Sequence, residues 1–206
     1  MIPYQQQKID NAICFFANEY KYKTHKELYS TYLYKFLAFL DFNSIKDNGR
    51  PSLGLTYMAY PKGPVPIEIY NNRHNLKTNC FEFKSAGRAT INSKDIEKFL
   101  IIPKSEPDLD YFSEYEIKEM YNLIEIFADE YVKTSDISEA SHESILAWKR
   151  AFRRKPNSEL KYEDEFFGDV KTKPYNKLSI PEENFILNES LGNISTIEHT
   201  NNRKVS

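Results

Sequence analysis

SEYEIKEMYNLIEIFADEY, residues 113–131, decides the class of fold. Ser113 and Glu116 have the spacing at which a serine side chain takes an orphan backbone N–H of a helix start and a glutamate reaches back to the serine N–H. Behind that cap, Ile117, Met120, Tyr121, Ile124, Phe127, Ala128 and Tyr131 recur at three- and four-residue intervals, so one helix face is apolar and must be buried. Thr134-Ser135-Asp136 interrupts the period. Helical character resumes from Ile137 to Phe152 through Ala140, Ile145 and Trp148, predicting a short helical pair.

The same period runs through the N-terminal part. Ile9, Ala12, Ile13, Phe16, Ala17 and Tyr20 form one stripe, and Leu28, Tyr32, Leu33, Phe36, Leu37 and Leu40 form a second, predicting two packed helices. Tyr29 and Tyr34 lie off the second stripe and are the better candidates for exposed aromatic contacts. Asp47-Asn48-Gly49, with Pro51 and Gly54 after it, marks a loop.

Strands are fewer. Leu55 to Tyr60 and Cys80 to Lys84 read as strands of a small sheet, the second with Phe81 and Phe83 on one face. Between them Pro61, Pro64 and Pro66 surround Gly63, and rings that remove three donors predict that no regular ladder continues through the segment. Pro66 can open a short helix over Ile67 to Arg73. Another short helix is predicted over Ser93 to Leu100, and Ser179-Ile180-Pro181-Glu182 can open one more, with fraying from Ser190 onward. The elements add up to an α+β fold, predominantly α-helical: a compact helical domain at residues 1–155 with a small antiparallel sheet or hairpin. A partly ordered acidic C-terminal extension, 156–206, has six Lys and Arg against nine Asp and Glu and a net charge of −3, leaving +1 for the body.

Composition removes several function classes. The chain has 206 residues, 40% hydrophobic and 28% charged, with a net charge of −2, which fits neither a disordered protein nor a strongly basic nucleic-acid binder. Its longest apolar run, Ala12 to Ala17, is six residues, against about 20 for a membrane span. No basic start of a secretory signal precedes it, so a soluble, unexported chain without a membrane partner is expected. Cys14 and Cys80 lie far apart with no C-x-x-C, which argues against a disulfide framework or zinc knuckle and for a reducing cytoplasm.

Catalytic and cofactor signatures fail one by one. His25, His74, His142 and His199 are scattered; His142-Glu143 begins like H-E-x-x-H, but Leu146 stands where the second ligand is needed. Ser141, His142 and Glu143 are triad residue types, yet neighbours on a helix project about 100° apart and cannot align. The six glycines permit no phosphate-binding loop, and no metal or cofactor is expected. The fifteen tyrosines and fourteen phenylalanines are assigned mainly to the helical stripes and strand faces, where burial accounts for them without a ligand. Lys149, Arg150, Arg153, Arg154 and Lys155 place five positive charges within seven residues at a helix end, where they complement the helix dipole or form a charged contact.

Three pieces in order resemble the Panacea domain family, the SocA-like antitoxins of toxin–antitoxin systems. The first is the aromatic helix pair, Lys8 to Tyr20 and Tyr32 to Phe42. The second runs from Gly49-Arg50-Pro51 through Tyr57-Met58-Ala59 into Lys62-Gly63-Pro64-Val65-Pro66 and Ile69-Tyr70, and is similar to the family's strand-to-GPVP-to-helix passage. The third joins Phe112-Ser113-Glu114 to Ser135, Ile137, Ser138, Ser141-His142-Glu143 and Ala147-Trp148-Lys149. The resemblance spans about residues 5–153. It implies a cytoplasmic antitoxin that neutralises a cognate toxin, encoded beside it, by direct protein contact and without catalysis or cofactor.

Two roles stay open for the marks themselves. Gly63, Pro64, Val65 and Pro66 can stiffen the delivery of a helix while Trp148 fills the core and His142 bonds a loop carbonyl; or Ser141, His142 and Trp148 build a partner-facing groove. The acidic tail is a candidate second contact that orders on binding. The alternative function is a phage- or mobile-element-associated regulatory module that binds DNA or an adaptor target through residues 149–155, a nucleic-acid role that net charge disfavours. Oligomeric state is not legible.

Overall fold

A computed structural model describes residues 2–91 and 94–202, with side chains outside 89–96 and 192–206. Its elements are α1 (Gln5–Thr24), β1 (Leu28–Tyr29), α2 (Ser30–Asn48), β2 (Tyr57–Tyr60), β3 (Gly63–Pro66), α3 (Ile67–Asn72), β4 (Phe81–Ile91), β5 (Lys94–Pro103), α4 (Glu114–Phe127), α5 (Thr134–Ser144), α6 (Leu146–Arg154) and α7 (Ile180–Asn202). This is a predominantly helical α+β fold with small antiparallel sheets.

The second apolar stripe is the axle of the molecule. Fourteen of the nineteen residues of α2 are buried, so it is a core helix surrounded on all sides rather than a surface helix with one wet face. That overturns the expectation for Tyr34: it is 5% exposed, and its ring meets Tyr70 of α3 at 6.2 Å. Tyr29 is 42% exposed. Around the axle, Phe16 of α1 stacks on Phe36 at 4.9 Å, and Phe127 of α4 stacks on Phe39 at 5.2 Å.

α4 starts as its sequence predicts. Ser113 Oγ accepts from Glu116 N–H at 3.4 Å, and Glu116 Oε2 accepts from Ser113 N–H at 2.9 Å. The same carboxylate takes Lys8 Nζ at 2.6 Å, so the cap also ties α4 to α1. α2 stops at Gly49, whose φ of 72° is left-handed and whose N–H closes the last turn on Ile45 O. A Cβ there would lie 2.0 Å from Pro181 O, so the glycine also admits the start of α7.

Two predicted segments change class. Lys94–Pro103 is strand β5, not a helix, central in the antiparallel sheet of order β1-β5-β4; Ser93 lies outside the described residues. Buried Phe99, half-buried Leu100 and buried Ile101 follow the two-residue period of a strand. So short a run satisfies either period, and pairing with β4 and β1 decides it. The proline-rich segment does carry a ladder: β3 pairs with β2, Tyr57 opposite Pro66 and Tyr60 opposite Gly63. Alternate strand residues aim N–H groups at opposite edges. Ile67 N–H donates to Thr56 O at 2.9 Å, so Pro64 and Pro66, one register off, place their missing donors on the other edge.

The cysteines are also paired against expectation. Cys14 of α1 and Cys80, just before β4, form a disulfide. Sequence separation concealed it because only the packing of α1 on the sheet brings them to a Cα–Cα distance of 5.8 Å.

The composition break at 155 is a change of charge, and packing runs through it. Ala59 N–H donates to Ser158 O, and Leu160 N–H donates to Tyr57 O, extending the β2 edge with tail residues. Phe166, Val170 and Phe185 close a second small core on Ile45 of α2. No helix of the described residues is long and apolar enough to cross a membrane.

Candidate functional site

Three separated pieces of sequence meet at Lys35. This lysine, on α2, is 1% exposed, and its Nζ donates to Pro64 O of β3 at 2.9 Å. Burial pushes its ammonium down to about 7, because only one acceptor replaces the water it lost. Gly63 has a φ of 100°, and a Cβ on it would lie 2.5 Å from Ser141 Oγ and 2.9 Å from Lys35 Cε. The hairpin therefore wedges its glycine between α2 and α5, where no larger residue fits.

Ser141 is fully buried and donates to Ser138 O at 2.7 Å. Its neighbour His142 is not on one helix with Trp148, as helical periodicity predicts. The chain breaks at Ile145 between α5 and α6, which lets the two rings stack face to face at 3.9 Å; Phe152 extends the stack at 4.9 Å. Trp148, not His142, makes the bond to the hairpin: its Nε1–H donates to Tyr60 O at 3.1 Å. His142 Nε2 is buried with no partner among the described residues. Burial, and then the Lys35 charge, hold its imidazolium below the ordinary histidine range. Gly63, Pro64, Ser141, His142 and Trp148 thus converge as one packed hub, with Val65 buried in β3 and Pro66 leading into α3.

The basic patch does not stay together. Arg150 donates to Asp164 O and Phe166 O at 2.9 and 2.6 Å, Arg154 pairs with the Asp164 carboxylate, and Lys149 Nζ donates to Glu143 O at 2.7 Å. Arg153 and Lys155 remain exposed at the end of α6. The tail that takes Arg150 and Arg154 also caps α6: the buried Glu165 accepts from Leu146 and Ala147 N–H at 3.2 and 2.9 Å. Burial raises its carboxyl, and those donors with Lys46 pull it back.

Asp41 is the group that sequence reasoning missed most completely. Fully buried on α2, it accepts from Leu53, Gly54 and Leu55 N–H at 2.5, 3.1 and 3.2 Å, and from Tyr57 and Tyr162 hydroxyls at 3.0 Å each. Burial raises its carboxyl against the pull of these donors and pushes both phenols well above their usual range. A signal was present: Lys35 and Asp41 are the only charges between Leu33 and Phe42, where each must find a partner. Among the described residues no group of three or more His, Cys, Asp or Glu side chains is placed to hold a metal ion.

The family model for the antitoxin SocA-like, Panacea domain matches residues 33–149, more than half of the chain. The chain belongs to that family. No curated protein and no solved structure matches it. The Panacea segment begins inside α2 and ends inside α6, so it contains Lys35, Asp41, the GPVP hairpin, Ser141, His142 and Trp148. It leaves out α1, Arg150, Arg153, Arg154, Lys155 and the tail.

Proposed function

We propose that this chain is an antitoxin that neutralises a cognate toxin by direct protein contact, with no reaction of its own. The observation that carries the reading is the antitoxin-family match over the segment that builds the hub. The hub's chemistry supports a structural rather than catalytic role. Ser141 Oγ is sealed from solvent and bonded to Ser138 O, and the imidazole of His142 lies flat on Trp148. A nucleophile without access to substrate has no reaction to perform.

The hub makes a helical surface rigid, and a rigid surface binds without an ordering cost. Occlusion of the toxin's working face needs an interface of about 1,600 Å² with a few well-packed anchors. The regulatory-module reading keeps only Arg153 and Lys155 as uncommitted cations of its patch, too few for a phosphate-tracking surface.

The test is co-expression. The reading frame next to this one, induced alone, arrests growth; induced with this chain, it is tolerated, and the two products co-elute on size exclusion. A harmless neighbour, or arrest that persists with the chain present, overturns the proposal.

A further inference from the structure

Outside the hub, α2, the second half of α4 and the end of α5 enclose a groove of about 370 Å³. Its floor is the stacked pair Phe39 and Phe127 with Leu123, and Ile126 stands on its lip at 60% exposure. An exposed aliphatic residue is ordinary by itself. Here it borders a concave apolar floor on a helix whose other large aliphatics, Ile117, Leu123 and Ile124, turn inward. Tyr121 and Tyr131 are also exposed on α4 and just after it.

The rim is acidic. No lysine or arginine lines the groove, whereas Glu119 and Glu125 do, together with Asn43 and Asn122. Glu119 is held toward the groove wall by Asn43 Nδ2 at 2.7 Å, a neutral donor that leaves its charge in place. Glu125 is paired with Lys23 of α1 at 2.8 Å; Lys46 reaches Ser144 O on the groove wall at 3.1 Å, where the buried Glu165 answers its charge at 3.6 Å and leaves Glu119 as the unpaired charge of the rim. From Glu114 to Glu130 there are six carboxylates and one lysine, and Lys8 and Lys23 answer only Glu116 and Glu125. An apolar floor inside a negative field matches an apolar side chain carried between cations.

We infer that this groove docks a basic amphipathic helix of the partner, leucine-like anchors flanked by Lys or Arg, in the helix-in-groove mode. The inference rests on the antitoxin reading for the identity of the partner and on the groove alone for its chemistry. A second copy of this chain is a poor occupant. Its own basic helix, α6, has Ala147, Trp148 and Ala151 buried, and α4 against α4 would set like charges together.

The experiment titrates the full chain into a fluorescein-labelled amphipathic peptide with leucines at helical spacing and lysines on its flanks, and into the same peptide with glutamates for lysines. Saturable, salt-weakened binding of the lysine peptide is expected, with none for the glutamate peptide, and a loss of about tenfold or more for Ile126→Asp and Glu119→Lys. Thermal melts check that both variants stay folded. No saturable binding, equal binding of the two peptides, or unchanged binding by both folded variants overturns the assignment, as does a dimer that Ile126→Asp disperses. Neutralisation separates the two claims. If Ile126→Asp protects as well as the parent, the groove falls and the antitoxin stands; if the parent does not protect, the antitoxin falls while the peptide result still judges the groove.

Discussion

Two buried charges on one helix hold the same stretch of chain in opposite ways. Asp41 grips its beginning, at Leu53 to Tyr57, with four donors, and takes Tyr162 OH besides; Lys35 grips its end, at Pro64 O, with a single bond. A buried charge surrounded by dipoles organises a core, whereas one left with spare donors remains a cost that packing must offset. The start of the 53–66 segment is therefore the anchored end, and the hairpin is held by shape: the Gly63 wedge and the Trp148 bond.

The largest effect should come from breaking the stronger hub. Asp41→Ala orphans three backbone N–H groups and the Tyr57 phenol, while Tyr162 keeps Leu55 O at 2.7 Å, and should cost about 4 kcal/mol or more in urea unfolding. A loss below about 1 kcal/mol would erase the contrast. A control uses a link that bonds neither charge. Under oxidising conditions Cys14→Ser should cost about 4 kcal/mol, the chain-entropy figure for a link between residues 66 apart, and the difference should vanish in excess thiol. If it persists in thiol, the loss comes from packing and the link is not what stabilises.

Gly63→Val tests the wedge. A side chain at a φ of 100°, driven against Ser141 Oγ, should cost about 2–3 kcal/mol. If it does not, shape is not what holds the hairpin.

The smallest and sharpest test is Lys35→Met, which should leave stability at pH 7 unchanged or raise it by about 1 kcal/mol. Folding lowers this lysine from 10.5 to about 7, so between those values the unfolded chain binds a proton that the folded chain has shed. Parental stability should accordingly rise with pH from about 7 towards 10.5 and be lower below 7; the variant should be flatter. Tyr20 and Tyr34, pushed from 10.0 up to about 12, act the other way once the unfolded phenols begin to ionise near 10, so the rise is read between about 7 and 9. A parent with no rise, or a variant with the same rise, would place the ammonium in water.

Much of this was legible locally. The capping box at Ser113 and Glu116, the helices around it, the short helix behind Pro66 and the convergence-prone marks at Gly63, Ser141, His142 and Trp148 all stand in the sequence, because helix starts and apolar stripes are set by neighbours within a turn or two. β5 was not, since its run fits two periods and only a partner strand chooses. Nor was the β2–β3 ladder, because proline's missing donor matters only on the edge that another strand uses. The disulfide, the tail's caps on α6 and both buried charges depend on residues 12 or more positions away.

By itself, then, the order of residues determined a mostly helical α+β chain, its helix starts and its kinship with the SocA-like antitoxins, properties that short-range geometry and motif order carry. The three-dimensional packing alone decided that α2 is encircled, that three cations of the basic patch are spent on carbonyls and the tail, and that an acidic-rimmed groove stays open beside Ile126. Exposure and pairing are properties of surfaces brought together across the chain, and no local pattern records which surfaces those will be.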